Sequence, residues 1–210
     1  VAGGMVPAAH DNDNGGSIRV PAAVCGLFGL KPTRGLVPIG PWFGELAAGL
    51  NSEHVLTRTV RDSAAFLDAL AGPEPGGRYQ VRKPVDSYAD ELAKPLPSLR
   101  IALVDKAPGG ATISPEIEAA VHTVGRLLED AGHRVEPFQL EDDTELMAEA
   151  EKVWFTEIAM LLRARERELG RKPVPGEIEA MTAYAVRLAS KLDAVDYLEA
   201  LQRVHHGAGQ

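Results

Sequence analysis

Near the start of the chain, Asp11-Asn12-Asp13-Asn14-Gly15-Gly16-Ser17-Ile18-Arg19-Val20-Pro21 sets a hydroxyl directly after two glycines. Two residues without side chains let successive N–H groups turn toward one point and let a substrate carbonyl come close. A serine at the end of such a turn can attack the carbonyl carbon while the backbone amides of Asn14, Gly15, Gly16 and Ser17 receive its oxygen. That arrangement is an oxyanion hole, and one donor in such a hole is worth about 2.7–4 kcal/mol of transition-state stabilisation. Asp13 and Arg19 flank the turn with opposite charges, and a pair between them would brace its two limbs.

Other uses of the stretch fit less well. Gly15-Gly16-Ser17-Ile18-Arg19 ends in arginine where a nucleophile elbow needs glycine. A calcium loop counted from Asp11 puts Gly15 at the fifth place and Ala22 at the twelfth, where oxygen ligands are required. No Gly-x-x-x-x-Gly-Lys-Ser/Thr run occurs. On local chemistry alone, a Gly-Gly turn with an N-capping serine ahead of a short helix explains the residues as well as catalysis does.

The stretch reads on through Ala22, then Cys25-Gly26-Leu27 and Gly29-Leu30-Lys31-Pro32-Thr33-Arg34-Gly35. In this longer form it resembles the second half of the signature of the amidase signature family. The resemblance implies a serine amidohydrolase with Ser17 as nucleophile and the amides of Asn14, Gly15, Gly16 and Ser17 as its oxyanion hole. In that family a second serine in a cis peptide activates the nucleophile and is itself paired with a lysine. Both belong to upstream segments, one of them Ser-Ser-Gly-Gly-Ser, and neither occurs in these 210 residues. Val1-Ala2-Gly3-Gly4-Met5-Val6-Pro7 resembles the residues that follow the serine-rich segment. The expectation is therefore a fragment of one amidase signature domain, inactive alone, that also stops short of a sheet-completing strand after 194–205.

Arg34 and the Glu53-His54 segment resemble stand-alone amidases acting on linear or cyclic amides more than subunits of a tRNA-dependent amidotransferase. The alternative is a non-catalytic binding or scaffold protein that retains the fold. Lys31 matches a family position other than the catalytic lysine and is expected to be structural.

The elements that must carry the turn follow from pattern. Met5 to His10 predicts a short buried strand leading into it, and Pro21 to Gly26 a short helix. Gly40-Pro41-Trp42-Phe43-Gly44 reads as a turn whose rings pack on the sheet. His54 to Arg58 predicts a strand, and Thr59 caps a helix over 60–71 that stops at Gly72. Residues 73–97, rich in proline, glycine and charge, read as a surface excursion. Arg100 to Val104, a helix from Ser114-Pro115 to Gly132, and Arg134 to Leu140 make a βαβ unit with parallel strands. The helix carries Ile117, Ala120, Val121, Val124, Leu127 and Leu128 on one face.

From 144 to 207 the pattern is helical. A first stripe holds Leu146, Val153, Trp154, Ile158, Leu161 and Leu162. A second helix spans Ile178 to Leu192, and Asp193 caps a third. The fold class is α/β, a mixed, partly parallel sheet covered by helices.

Composition bounds the rest. The chain is 45% hydrophobic and 25% charged, with net charge −8. The acidic balance and the lack of a Lys/Arg stripe argue against nucleic acid and anionic membranes as partners. The expected partner is a small-molecule amide substrate, with a homodimer left open. No cofactor is expected. His205-His206 diverge on a helix, so no metal is assigned either. The single cysteine, Cys25, fits a reducing, cytoplasmic setting and is expected to be buried.

Overall fold

In the computed structural model, which describes residues 1–41, 43–83, 86–140 and 144–207, the Asp/Asn run is itself a strand, β1 (Ala9–Asp13). The strand expected over Met5 to His10 thus begins later, and Met5 is 88% exposed. Pairing decides this. Ala9 to Asp13 lie opposite Leu56 to Ser52, which satisfies their backbone groups, and the apolar residues before them have no such partner strand.

β1 belongs to the first of two units, Val1–Lys94. After the Gly-Gly turn comes α1 (Arg19–Cys25), with Pro21 in the first turn, where its missing N–H would have no intrahelical partner. Gly26 closes the helix in the left-handed conformation. The helix buries Ile18 and Ala22 and leaves Cys25 exposed, which corrects the expectation of a buried thiol. β2 (Phe28–Gly29) follows, and β3 (Ser52–Thr57) runs antiparallel to both neighbours in the order β1-β3-β2. Gly29 has to be glycine: a Cβ there would lie 2.6 Å from Ala22 Cβ and 2.9 Å from the Ile18 carbonyl oxygen.

Every residue of β3 is buried, as befits the central strand. Next, α2 (Val60–Leu70) starts at Thr59, whose hydroxyl accepts from the Asp62 N–H at 3.0 Å. Ile18, Ala22 and Leu56 form one apolar cluster; Leu36, Leu67 and Ala71 form another. The excursion after residue 73 is tied back to α2: Asp68 accepts from the N–H groups of Tyr88 and Ala89 at the start of α3 (Tyr88–Glu91). Trp42 lies outside the described residues. Phe43, expected to pack on the sheet, is 41% exposed.

The second unit is Pro95–Gln210. β4 (Arg100–Leu103) and β5 (Arg134–Pro137) pair in parallel, Arg100 opposite Arg134, across α4 (Pro115–Asp130). α4 starts at Ser114-Pro115 as expected, and the Ser114 hydroxyl caps it by accepting from the Ile117 N–H. The expected single apolar face is only partly covered. The helix lays Val121, Gly125 and Leu128 toward the two strands, and Ile117, Val124 and Leu127 stay 53–62% exposed. Two short strands make too narrow a surface to cover a full stripe.

α5 (Thr144–Leu169), α6 (Ala180–Ala189) and α7 (Ala194–Gly207) pack together through Val153, Phe155, Ala159, Ala185, Ala200 and Val204. Asp193 caps α7 as expected, accepting from the Val195 and Asp196 N–H groups. Trp154 and Leu161 of the expected α5 stripe face outward, and Glu149 takes a buried place beside Arg203 (2.7 Å) and Lys152 (2.8 Å). Among the described residues no helix is long and apolar enough to cross a membrane.

Candidate active site

β1 delivers Asp13, fully buried, to the end of the central pairing opposite Ser52. A carboxylate there must be surrounded by donors to remain ionised. It is: Asp13 Oδ1 accepts from the Gly16 N–H (2.7 Å) and Oδ2 from the N–H groups of Ile18 (3.3 Å) and Arg19 (3.2 Å). The Arg19 guanidinium closes the set with Nε on Oδ2 and Nη2 on Oδ1, both at 2.9 Å. Hydrogen bonding to Arg19, aided by the Arg19 and Gly16 amides and opposed by burial, holds the Asp13 carboxyl far below the usual carboxylate range. The same pairing raises the Arg19 guanidinium above its ordinary value.

The turn between these residues is thereby fixed. Gly16 has φ 121°, and a Cβ added there would meet Val20 Cγ2 at 2.9 Å, so only glycine fits. Ser17 stands exposed at the entrance to α1, just before its N-cap residue Ile18. Among the described residues its hydroxyl has no hydrogen-bond partner, nor have the N–H groups of Asn14, Gly15 and Ser17. The Gly16 N–H differs from the other three in serving Asp13. All the residues singled out in the sequence, Asp13 to Ser17 and Arg19, therefore meet in one turn, with one of the four amides engaged.

Lys31 is elsewhere engaged. Its ammonium donates to the Leu50 carbonyl (3.0 Å) and to Ser52 Oγ (3.4 Å), and burial lowers its affinity for the proton. That is the structural role expected of it.

Glu53 and His54, noted in the sequence only for their resemblance, are buried groups on β3 whose contacts the sequence reading did not foresee. His54 is fully buried, its Nε2 2.8 Å from Ser63 Oγ on α2, and its Nδ1 makes no hydrogen bond among the described residues. Burial lowers its pKa, against the Ser63 contact. Glu53 takes His10 Nε2 at 2.9 Å and Asn51 Nδ2 at 2.6 Å. A cavity of about 360 Å³ lies against His10, Asn12, Glu53 and His54, with Ile39, Phe43 and Leu46 among its apolar walls. Polar residues beside Val55 and Leu56 in a short predicted strand were the available signal. Only strand register reveals which of them face each other.

The mixed α/β fold is that of amidase signature enzymes. The chain belongs to the amidase family, whose model matches residues 1–205. It is similar to the 6-aminohexanoate-cyclic-dimer hydrolase of Paenarthrobacter ureafaciens, 30% identical over 215 residues, covering 100% of this chain and 44% of that one. It is 38% identical over 189 residues to the AmiC protein of Mycobacterium tuberculosis, covering 87% of this chain and 37% of the other. Among solved structures it superposes on a 6-aminohexanoate cyclic dimer hydrolase complexed with substrate, with TM-score 0.91 and 29% identity over 100% of this chain and 44% of that chain. A bacterial aryl acylamidase of the amidase signature enzymes shares the fold with TM-score 0.81 at 22% identity, over 95% of this chain and 42% of that one. The chain thus spans about two-fifths of the length of the curated relatives it matches (37% and 44%).

Proposed function

We propose that Ser17 is the nucleophile of a serine-dependent amidase that cleaves a carboxamide to a carboxylic acid and an amine or ammonia. Ser17 Oγ adds to the amide carbon and its proton passes to a base. The tetrahedral oxyanion rests on the N–H groups of Asn14, Gly15 and Ser17, and the C–N bond then breaks with return of the proton to the leaving nitrogen. Water repeats the cycle on the acyl-enzyme. The Gly16 N–H, expected as a fourth donor, instead braces the turn through Asp13.

The observation that carries this reading is an exposed serine beside unengaged amides on a turn locked by the buried Asp13 carboxylate and its pairing with Arg19. Such a turn needs little reorganisation when charge develops, which is where a preformed hole gains its effect. The substrate class is a linear or cyclic amide, supported by the likeness to the cyclic-dimer hydrolases. The base is the serine–lysine pair that the family resemblance places upstream. Among the described residues no base is hydrogen-bonded to Ser17, and without the serine–lysine pair these residues turn over poorly or not at all. The enzyme works in the cytoplasm.

Acylation is the test. The protein expressed from its complete coding sequence, treated with a fluorophosphonate and mapped by peptide mass spectrometry, carries the adduct on Ser17. An adduct elsewhere, or amide hydrolysis undiminished in Ser17→Ala, refutes the assignment. A well-folded protein that neither labels nor hydrolyses any amide favours the non-catalytic scaffold.

A further inference from the structure

A second group of chemically capable side chains lies in the other unit. Asp105 follows β4 in the chain, and Glu118 and His122 stand on α4; one ligand atom from each lies within 4.8 Å of those of the other two. Glu118 and His122 are four residues apart, so α4 presents both on one face. His122 Nε2 is 3.4 Å from Asp105 Oδ2. A tetrahedral ion with ligand bonds of about 2.0–2.2 Å sets neighbouring ligand atoms roughly 3.4 Å apart, so this pair already has the required spacing. Glu118 is exposed and offers its carboxylate from within 4.8 Å of both.

The three ligands leave positions open. Asp105 and Glu118 line a cavity of about 820 Å³ that also takes in Lys106, Gln139 and the Gly109-Gly110 turn. One imidazole with two carboxylates is a borderline donor set. It suits Zn2+, Co2+ or Mn2+ better than calcium or magnesium, which prefer oxygen alone. We propose that Asp105, Glu118 and His122 bind one divalent transition-metal ion, which ties the segment after β4 to the face of α4. Nothing in the serine chemistry at Ser17 uses this site, so it stands independently of that reading.

Titration of the protein expressed from its complete coding sequence with Co2+, read by visible absorption and checked by Zn2+ competition, tests the proposal. One equivalent binds with a four- or five-coordinate spectrum, and Zn2+ displaces it and raises the melting temperature. His122→Ala and the near-isosteric Glu118→Gln each weaken binding roughly tenfold or more, since each removes a ligand. Both positions are on the surface side of α4, and circular dichroism confirms that the variants remain folded. Replacement of His205 and His206 together leaves the spectrum unchanged. Absence of Co2+ binding, or binding that survives His122→Ala and Glu118→Gln at full affinity, overturns the site. So does a spectrum lost with His205 and His206.

Discussion

Arg19 grips both carboxylate oxygens of Asp13, Nε on Oδ2 and Nη2 on Oδ1, each at 2.9 Å. The side chains come from opposite ends of the Gly-Gly-Ser turn, so the pair staples the strand before the turn to the helix after it. Asp13 is fully buried, whereas the Arg19 side chain is 53% exposed. The contribution of the pair therefore comes chiefly from keeping the buried carboxylate satisfied.

Asp13→Asn removes the charge and turns an N–H donor toward amides that need an acceptor. It lowers stability by about 3 kcal/mol, measured by urea unfolding. Arg19→Lys costs less, because the Gly16, Ile18 and Arg19 amides still hold the carboxylate and only the bidentate geometry is lost. Equal losses for the two variants contradict this division.

The folded-state pKa of Asp13 lies below its ordinary value of 3.8. Its contribution is then fully present above that value and is lost as pH falls through it toward the folded-state pKa. A stability–pH curve for the wild type drops below pH 4 more steeply than that of Asp13→Asn. Parallel curves would mean that another carboxylate governs acid unfolding.

His54 behaves with a similar pH direction at higher pH. Burial depresses its folded-state pKa below 6.5, so the unfolded chain takes up a proton that the folded chain refuses. Stability from this site is complete above 6.5 and declines as pH falls below it. Ser63→Ala leaves the buried Nε2 without its partner and costs about 1–3 kcal/mol, read by thermal melting at pH 8. His54→Gln flattens the stability curve between pH 5 and 7, an outcome that would fail if exposed His10 controlled that range.

At Gly16 two penalties act together. Gly16→Ala must hold a non-glycine residue at φ 121° and bring Cβ against Val20 Cγ2. The expected loss is about 2–3 kcal/mol, and Val20→Ala added to it recovers only the steric part. Full recovery in the double variant would show that backbone strain plays no role.

Much of the turn was legible before any coordinates. Asp13, the two glycines, Ser17 and Arg19 lie within seven residues, so short-range chemistry alone brings them together. The Thr59 and Asp193 caps were readable for the same reason, being local contacts between a side chain and the next turn. What depended on pairing was not. β1 starts at Ala9 because Leu56 lies opposite, and the burial of His54 against Ser63 follows from how α2 crosses β3. The engaged Gly16 amide was hidden too, since only the orientation of the peptide shows that it meets Asp13. On α4 and α5 the periodicity marked the packed face only in part, for Ile117, Val124, Leu127, Trp154 and Leu161 stay exposed; how much of a stripe is covered depends on the width of the sheet and on neighbouring helices, which no periodicity encodes.

The central claim is that Ser17 forms the acyl-enzyme. The most direct measurement is kcat for amide hydrolysis by the protein from its complete coding sequence, wild type against Ser17→Ala, with acid-quenched intact mass recorded during turnover. A fall of roughly 10⁴-fold or more, with an acyl mass increment that maps to Ser17 and vanishes in the variant, is the predicted result. An acyl increment that persists in Ser17→Ala, or a kcat within tenfold of wild type, would contradict it.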